Sequence, residues 1–279
     1  MTASQPVNGH HTERDASRPD RALEALHTCV VPQGDLSASQ ALLGPLRAIL
    51  EQYETLYDWA AAQPQPRALK GRAPVYVAAV PGTSETVVVR HAWHGGFFAP
   101  LTTDRFRRPT RAPQEFAYSQ RLRTLGIPTT TVLGFARYSA GPGLCRVDVL
   151  SRFIPDAFDL GMVAAGLVPE LSCDEALLAT QQLLVQLARH RVIHPDVNVK
   201  NVLLTQSTHG VHAMIIDVDV VRWEPEMDER SVMQTNLRRL TRSVKKWRRQ
   251  FGCALSDNAL QLFEQSAMAA LTASANDVL

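Results

Sequence analysis

The sequence predicts an α+β chain of two lobes, and three observations carry that reading. Short apolar runs separated by turn residues fill the first half, with one main helical segment among them. Long amphipathic stretches fill the second half. Where a helical run meets a strand-like run, polar residues crowd into "HPDVNVKN" at 194–201. A chain of 279 residues is long enough to bury a core in each lobe.

Residues 1–36 open with "MTASQPVNGHHTERDASRPD" and are expected to form a flexible polar tail. This segment lacks the apolar run of a signal peptide. His10 and His11 lie in it without rigid partner ligands, which argues against a metal site there. Residues 37–150 are expected to hold an N-terminal helix and a small antiparallel β-rich lobe with one main helix. In "GPLRAILEQYETLYDWAA" apolar side chains recur at Leu46, Ile49, Tyr53, Leu56 and Ala60, the spacing of one helix with Pro45 in its first turn. The prolines of "AQPQPRALKGR" end it. "PVYVAAV" and "TVVVRHAW" read as strands joined at "PGTSE", and "HGGFF" ends the second. "APQEFAYSQRLRTLG" is the main helix, closing at Gly126. "IPTTTVLGFARYS" and "LCRVDVLSRFI" return to extended structure around a "GPG" turn.

Residues 151–279 are expected to form a mainly helical lobe. "CDEALLATQQLLVQLARHRV" sets Leu177, Leu183, Leu184 and Leu187 on one face. "NVLLT" and "HAMIIDVDV" read as short strands, and two long helices close the chain. Two lobes leave a cleft, a common place for a ligand.

Composition narrows the class further. The 45% hydrophobic and 20% charged content is that of a globular protein. Cys29, Cys145, Cys173 and Cys253 lack CxxC spacing, so neither zinc nor a disulfide framework is expected, and free thiols fit a reducing compartment. No stretch approaches the roughly 20 apolar residues of a membrane span. A cytoplasmic location follows as an expectation, with any membrane contact peripheral.

Phosphoryl transfer needs a carboxylate to orient the acceptor hydroxyl, oxygen ligands for Mg²⁺, and positive charge on the donor phosphates. The protein-kinase catalytic loop supplies the first two as H-x-D-x-x-x-x-N, with a later Asp at a strand end. His194, Asp196 and Asn201 fit that spacing, and Asp217 follows the apolar "MII". The expected fold is therefore protein-kinase-like and bilobal, with ATP as donor and Mg²⁺ as metal. Asp196 is expected to orient the hydroxyl and take its proton, while Asn201 and Asp217 offer oxygens to Mg²⁺. His194 is expected to brace the loop. Arg90 ends "VVVR" where kinases carry the lysine of V-A-I-K, and Glu115 is its expected partner. No G-x-G-x-x-G loop is present; only Gly71 and Gly82 lie near the first strands.

These motifs, in this order, resemble the Kdo (3-deoxy-D-manno-octulosonic acid) kinases of the bacterial lipopolysaccharide kinase family. "VVVRHAWHGG" is similar to R-H-Y-x-R-G-G after a strand, and "QEFAYSQRLRTLGIPTTTVLGFA" to the E-F-x-L-L helix and turn. "VDVLSRFI" resembles the hinge A-D-I-L-T, "HPDVNVKNVLL" resembles H-x-D-L-N-A-H-N-I-L-L, and "IIDVDVVRW" resembles L-I-D-F-D-R. The resemblance, from about Lys70 to Trp247, implies ATP- and Mg²⁺-dependent phosphorylation of a Kdo hydroxyl. The implied acceptor is a Kdo–lipid A precursor at the cytoplasmic face of the inner membrane. It implies a catalytic part for Asn198, a nucleotide contact at the hinge residue Leu150, and a metal part for Asp219. Asp217 and Asp219, two apart on an extended strand, are expected to face the cleft together. Trp93, His94, Val199, Lys200 and Val218 depart from the family pattern, and Lys200 is free to meet an anion of the acceptor or the donor.

"NLRRLTRSVKKWRR" carries seven positive residues on a helix whose Leu237, Leu240, Val244 and Trp247 form an apolar face. Arg238, Arg242 and Lys245 are candidates for contact with substrate or an anionic membrane surface. The aromatic interleaving of a nucleic-acid platform is missing, so no nucleic-acid partner is expected. Other readings remain open at this point: a kinase for another sugar such as heptose or for a small molecule, or a pseudokinase binding module. The substitution at Arg90 and the missing glycine loop favour the last; the intact Asp196, Asn201 and Asp217 oppose it.

Overall fold

The computed structural model describes residues 25–64, 66–69, 74–93, 104–253 and 255–276. The β-rich lobe begins with strands β1 (His27–Val31) and β2 (Gly34–Ala38), then helices α1 (Gln40–Leu50) and α2 (Leu56–Ala61). Strands β3 (Arg67–Leu69), β4 (Val75–Ala79), β5 (Thr86–His91) and β6 (Phe106–Arg107) follow. Helix α3 (Ala112–Thr124) and the long pair β7 (Val132–Ser139) and β8 (Leu144–Arg152) complete the lobe. The strands form one antiparallel sheet in the order β1-β2-β7-β8-β5-β4-β3, with β6 paired to β8.

Two expectations change here. Residues 27–36, expected as tail, instead belong to a hairpin that runs from His27 to Ala38, and β2 pairs with β7 from Gly34 to Ala38. The polarity of the segment hid it because only one face of the hairpin is apolar: Val31, Leu36 and Ala38 are buried while Val30 is exposed. The single helix expected over residues 44–61 is instead two. The first helix ends at Leu50, and Thr55 starts α2 by accepting the Asp58 N–H at 2.9 Å. Pro45 lies inside α1, not in its first turn, because the helix already begins at Gln40. Residues 1–24, Gly71, His94 and the "HGGFF" turn lie outside the described residues.

Strand alternation divides this lobe into two faces. Val87 and Val89 of β5 and Leu150 of β8 pack with Leu42, Leu46 and Leu56 on one. Val132, Phe135, Val147 and Val149 pack with Ala112 and Phe116 of α3 on the other.

The second lobe contains β9 (Phe158–Asp159), α4 (Leu160–Ala164), α5 (Cys173–Arg189) and β10 (Val192–Ile193). Then come β11 (Val202–Ser207), β12 (Gly210–Ile215), β13 (Arg222–Trp223), α6 (Glu229–Phe251) and α7 (Asp257–Asn276). Its core joins Leu183, Leu184 and Leu187 of α5 to Leu204, Ile215 and Leu240. Asp228 caps α6 by accepting the Ser231 N–H at 2.8 Å. Helix α3 ties the lobes together. The Tyr118 and Trp223 ring centroids are 4.7 Å apart, and the Arg121 guanidinium lies 4.0 Å from the Trp223 centroid. Just beyond α3, the Thr129 hydroxyl donates to the Ile215 carbonyl at 2.6 Å.

Candidate active site

Loop 194–201 leaves β10 with its backbone held from below. The buried Asn236 of α6 accepts the His194 N–H at 3.1 Å and donates to the Val192 carbonyl at 3.0 Å. His194 is fully buried, and its Nε2–H donates to the Ile216 carbonyl at 3.1 Å. Burial pushes the imidazole pKa down, so the ring is neutral near pH 7. That is bracing geometry, as expected for His194. Arg239 adds a hydrogen bond to the Pro195 carbonyl.

Beyond the brace, Asp196 is exposed. Its backbone carbonyl accepts from both Asn198 Nδ2 and Asn201 Nδ2, each at 2.9 Å. Asn198 Oδ1 in turn accepts the Lys200 N–H at 2.9 Å and the Asn201 N–H at 3.3 Å. Asn198 was expected among the catalytic residues; both ends of its amide are committed to the loop backbone, which makes it a positioning residue. Asn201 uses its amide nitrogen for the loop and keeps its oxygen as the available donor atom. The Asn201 backbone carbonyl accepts the Ile216 N–H at 3.0 Å, which sets Asp217 beside the loop.

Asp217 has φ 61° and ψ 50°, the left-handed region that non-glycine residues seldom enter. The chain turns sharply there, leaving the carboxylate half-exposed and 4.0 Å from Arg90. Arg90 Nη2 also donates to Glu115 Oε1 at 2.7 Å and Oε2 at 2.6 Å. Glu115 is buried, and burial pushes its carboxyl up while Arg90 pulls it back. The Glu115 charge in turn raises the Arg90 pKa, so the guanidinium is permanently charged. Sequence reasoning paired these residues, and the fold brings them together with Asp217.

Two expectations fail on geometry. Val218–Val220 is a 3₁₀ turn, so the extended-strand argument for Asp217 and Asp219 facing the cleft together does not hold. Asp219 instead turns to Arg111 at 3.4 Å, and its carbonyl accepts from Gln114 at 2.9 Å. Burial pushes the Asp219 carboxyl up, and the charge of Asp217 adds to that. Leu150 is the second case. It is fully buried against Val89 on the α1–α2 face, because register pairs it with Val89 while Arg90 pairs with Val149. A Leu150 side-chain contact with nucleotide is therefore ruled out by strand alternation.

Lys200, Arg238, Arg242 and Lys245 are all exposed. Lys245 lies 3.9 Å from Asp257. Sequence reasoning missed Asn236, Arg239, Arg111 and Gln114. A signal existed for Asn236: it lies on the apolar stripe of α6 with Val232, Met233, Leu237 and Leu240, where an amide needs a buried partner.

The lobes and this loop define a protein-kinase-like architecture. The chain belongs to the lipopolysaccharide kinase (Kdo/WaaP) family, whose model matches residues 59–264. It is 32% identical over 164 residues to a 3-deoxy-D-manno-octulosonic acid kinase of Haemophilus influenzae, covering 57% of this chain and 65% of that one. A protein of the same description from Pasteurella multocida is 29% identical over 169 residues, with the same coverages of 57% and 65%. The match thus spans somewhat less than two thirds of the length of either relative. A solved structure described as WaaP in complex with acyl carrier protein is also similar, at 13% identity and a TM-score of 0.49, covering 87% of this chain and 88% of that one.

Proposed function

We propose that the chain is a kinase that transfers the γ-phosphoryl group of ATP to a hydroxyl of Kdo on a Kdo–lipid A precursor. The observation that carries this reading is the convergence of Arg90, paired to Glu115, on Asp217 beside the loop that holds Asp196 and Asn201. The relatives named for Kdo phosphorylation support the sugar. In this reading the acceptor oxygen bonds to phosphorus as the bond to the ADP oxygen breaks. Asp196 orients the hydroxyl and takes its proton, while Arg90 holds phosphate oxygens.

The donor set fits a hard divalent cation: the Asn201 amide oxygen and the Asp217 carboxylate would hold Mg²⁺. Bound there, Mg²⁺ neutralises charge on the phosphates. Asp219 acts in this reading through its link to Arg111 and Gln114, which ties the 217–220 turn to α3. The lobe boundary falls at the end of β8.

The reading also places the enzyme at the cytoplasmic face of the inner membrane. Among the described residues no helix is long and apolar enough to cross a membrane. Arg238, Arg242, Lys246 and Arg249 are exposed on α6, and each cation near an anionic surface contributes about 1 kcal/mol of attraction. Salt-insensitive sedimentation with anionic vesicles, unchanged when these residues are replaced, would remove the membrane part.

Incubation with labelled ATP, Mg²⁺ and a Kdo–lipid A precursor, with the product analysed by mass spectrometry, tests the whole. Phosphorylated glycolipid is the expected result. Transfer to a different sugar alone keeps the chemistry and overturns the acceptor; nucleotide binding without any transfer overturns the kinase.

A further inference from the structure

Lys200 has no part in the transfer just described, yet it sits exposed between Asp196 and Asn201. Its Nζ lies 5.3 Å from the centroid of the Trp247 ring, within cation–π range. Trp247 is wedged in place. A Cβ added at Gly161 would fall 2.9 Å from Trp247 Cε2, 3.0 Å from Val199 Cγ2 and 3.1 Å from Asp159 Oδ1. One helical turn before Trp247, Ser243 accepts the Val199 N–H at 3.1 Å, fixing the loop backbone next to Lys200. Asp159 lies near enough to feel the ammonium: burial pushes its carboxyl up, and Lys200 opposes that.

These contacts hold Lys200 on the side of the loop that faces α4 and α6. Arg90, Glu115 and Asp217 gather on the side that faces the β-rich lobe. A molecule that offers a hydroxyl to Asp196 and also reaches Lys200 therefore approaches as the acceptor, not along the donor phosphates. The indole covers one side of the ammonium and leaves N–H donors for an anion on the other. Arg242 and Lys246 of α6 are exposed and have no ion-pair partner among the described residues, so they add positive potential to this face.

We propose that Lys200, seated on Trp247, is a specificity-determining residue that binds an anionic group of the acceptor, a carboxylate or a phosphate. The proposal rests on the kinase reading above. Three acceptors separate the two sources: the Kdo–lipid A precursor, its carboxyl methyl ester, and its dephosphorylated form. Lys200→Met should raise the KM for the unmodified acceptor about tenfold and change kcat by less than about threefold, with Lys200→Arg restoring most of the loss. The penalty should shrink on the acceptor that lacks the anion Lys200 binds. A KM equal to wild type on the unmodified acceptor overturns the proposal. So does the same penalty on all three, since a purely structural role acts without regard to acceptor charge. If the wild-type protein transfers to none of them, the kinase reading falls and takes this proposal with it.

Discussion

A single nitrogen of Arg90, Nη2, bridges both oxygens of Glu115, at 2.7 and 2.6 Å. This anchors strand β5 to helix α3, and the same Nη2 lies 4.0 Å from Asp217 Oδ1. A lysine at this position offers one ammonium to Glu115 and no second nitrogen of a planar fork for phosphate oxygens. Arg90→Lys should therefore lower kcat/KM for ATP by about tenfold and Arg90→Ala by about a hundredfold or more. Steady-state kinetics with varied ATP check it, and wild-type values for Arg90→Ala would remove Arg90 from the donor site.

Asp196 is exposed at the head of a loop whose backbone is fixed by Asn198, Asn201 and Asn236. Its carboxylate accepts no hydrogen bond from any of these residues, so removing it leaves the scaffold intact. Asp196→Ala should lose about 10²- to 10⁴-fold in turnover, the range for a positioned general base. Nucleotide affinity, read by calorimetry, should stay near wild type. Retained turnover would strip Asp196 of its assigned role.

How much of this was legible beforehand depended on whether the signal was local. His194, Asp196, Asn201 and Asp217 follow a spacing set by one loop and the strand after it, and the sequence displays it directly. Arg90 and Glu115 could be paired because each lies at a defined place on a strand and a helix. The hairpin at residues 27–38 was not legible: its pairing to β7 joins segments about a hundred residues apart, and its few buried residues leave no clear alternation. Asp219 was misjudged because a 3₁₀ turn and an extended strand both fit three residues of Val-Asp-Val. The bracing side of α6 was hidden by its cations. Arg239, Ser243 and Trp247 face loop 194–201 at helical spacing, between the core stripe and the exposed basic face.

Two buried histidines predict how stability depends on pH. His91 Nδ1 lies 2.6 Å from Asp148 and Nε2 3.1 Å from Asp104. Burial disfavours its charge, but its bonds to Asp148 and Asp104 outweigh that and raise its pKa above 6.5. Its contribution is complete below the unfolded value and is lost as pH rises through the raised folded value. His194 shifts the other way: burial lowers its pKa from 6.5, so its contribution is present above that and is lost as pH falls through the folded value. Stability should thus be greatest near the ordinary histidine value. His91→Gln should flatten the decline between that value and about pH 9, where tyrosines do not yet titrate. Urea unfolding across pH measures both limbs, and an unchanged alkaline limb in His91→Gln contradicts the assignment.

Gly161 is a helical glycine that alanine should not improve. Alanine in a helix is ordinarily favoured over glycine by roughly 0.5–1 kcal/mol. Here the added methyl would meet Trp247, Val199 and Asp159 at 2.9–3.1 Å, where Val199 is buried and Asp159 accepts the Met162 N–H at 2.8 Å. Gly161→Ala should cost about 1–3 kcal/mol, the range for overpacking. Chemical denaturation decides the sign; a more stable variant would mean that Trp247 moves freely.

Asn236 joins stability to function most directly. Fully buried, it serves the His194 N–H and the Val192 carbonyl with the two ends of one amide. Asn236→Ala strands both backbone groups away from water, and each unsatisfied group costs about 1–3 kcal/mol. Asn236→Asp is the sharper test because it keeps the acceptor for His194 but replaces the donor to Val192 with a second acceptor. The aspartate variant should still be destabilised, since a carboxylate oxygen facing a carbonyl repels it and a buried charge lacks a partner. Both variants should also lower turnover more than nucleotide affinity, because the loop they loosen carries Asp196 while Arg90 and Glu115 are anchored in the other lobe. Thermal unfolding and transfer rates measured on the same preparations check the two effects together. An aspartate variant as stable as wild type would show that Val192 does not depend on this donor.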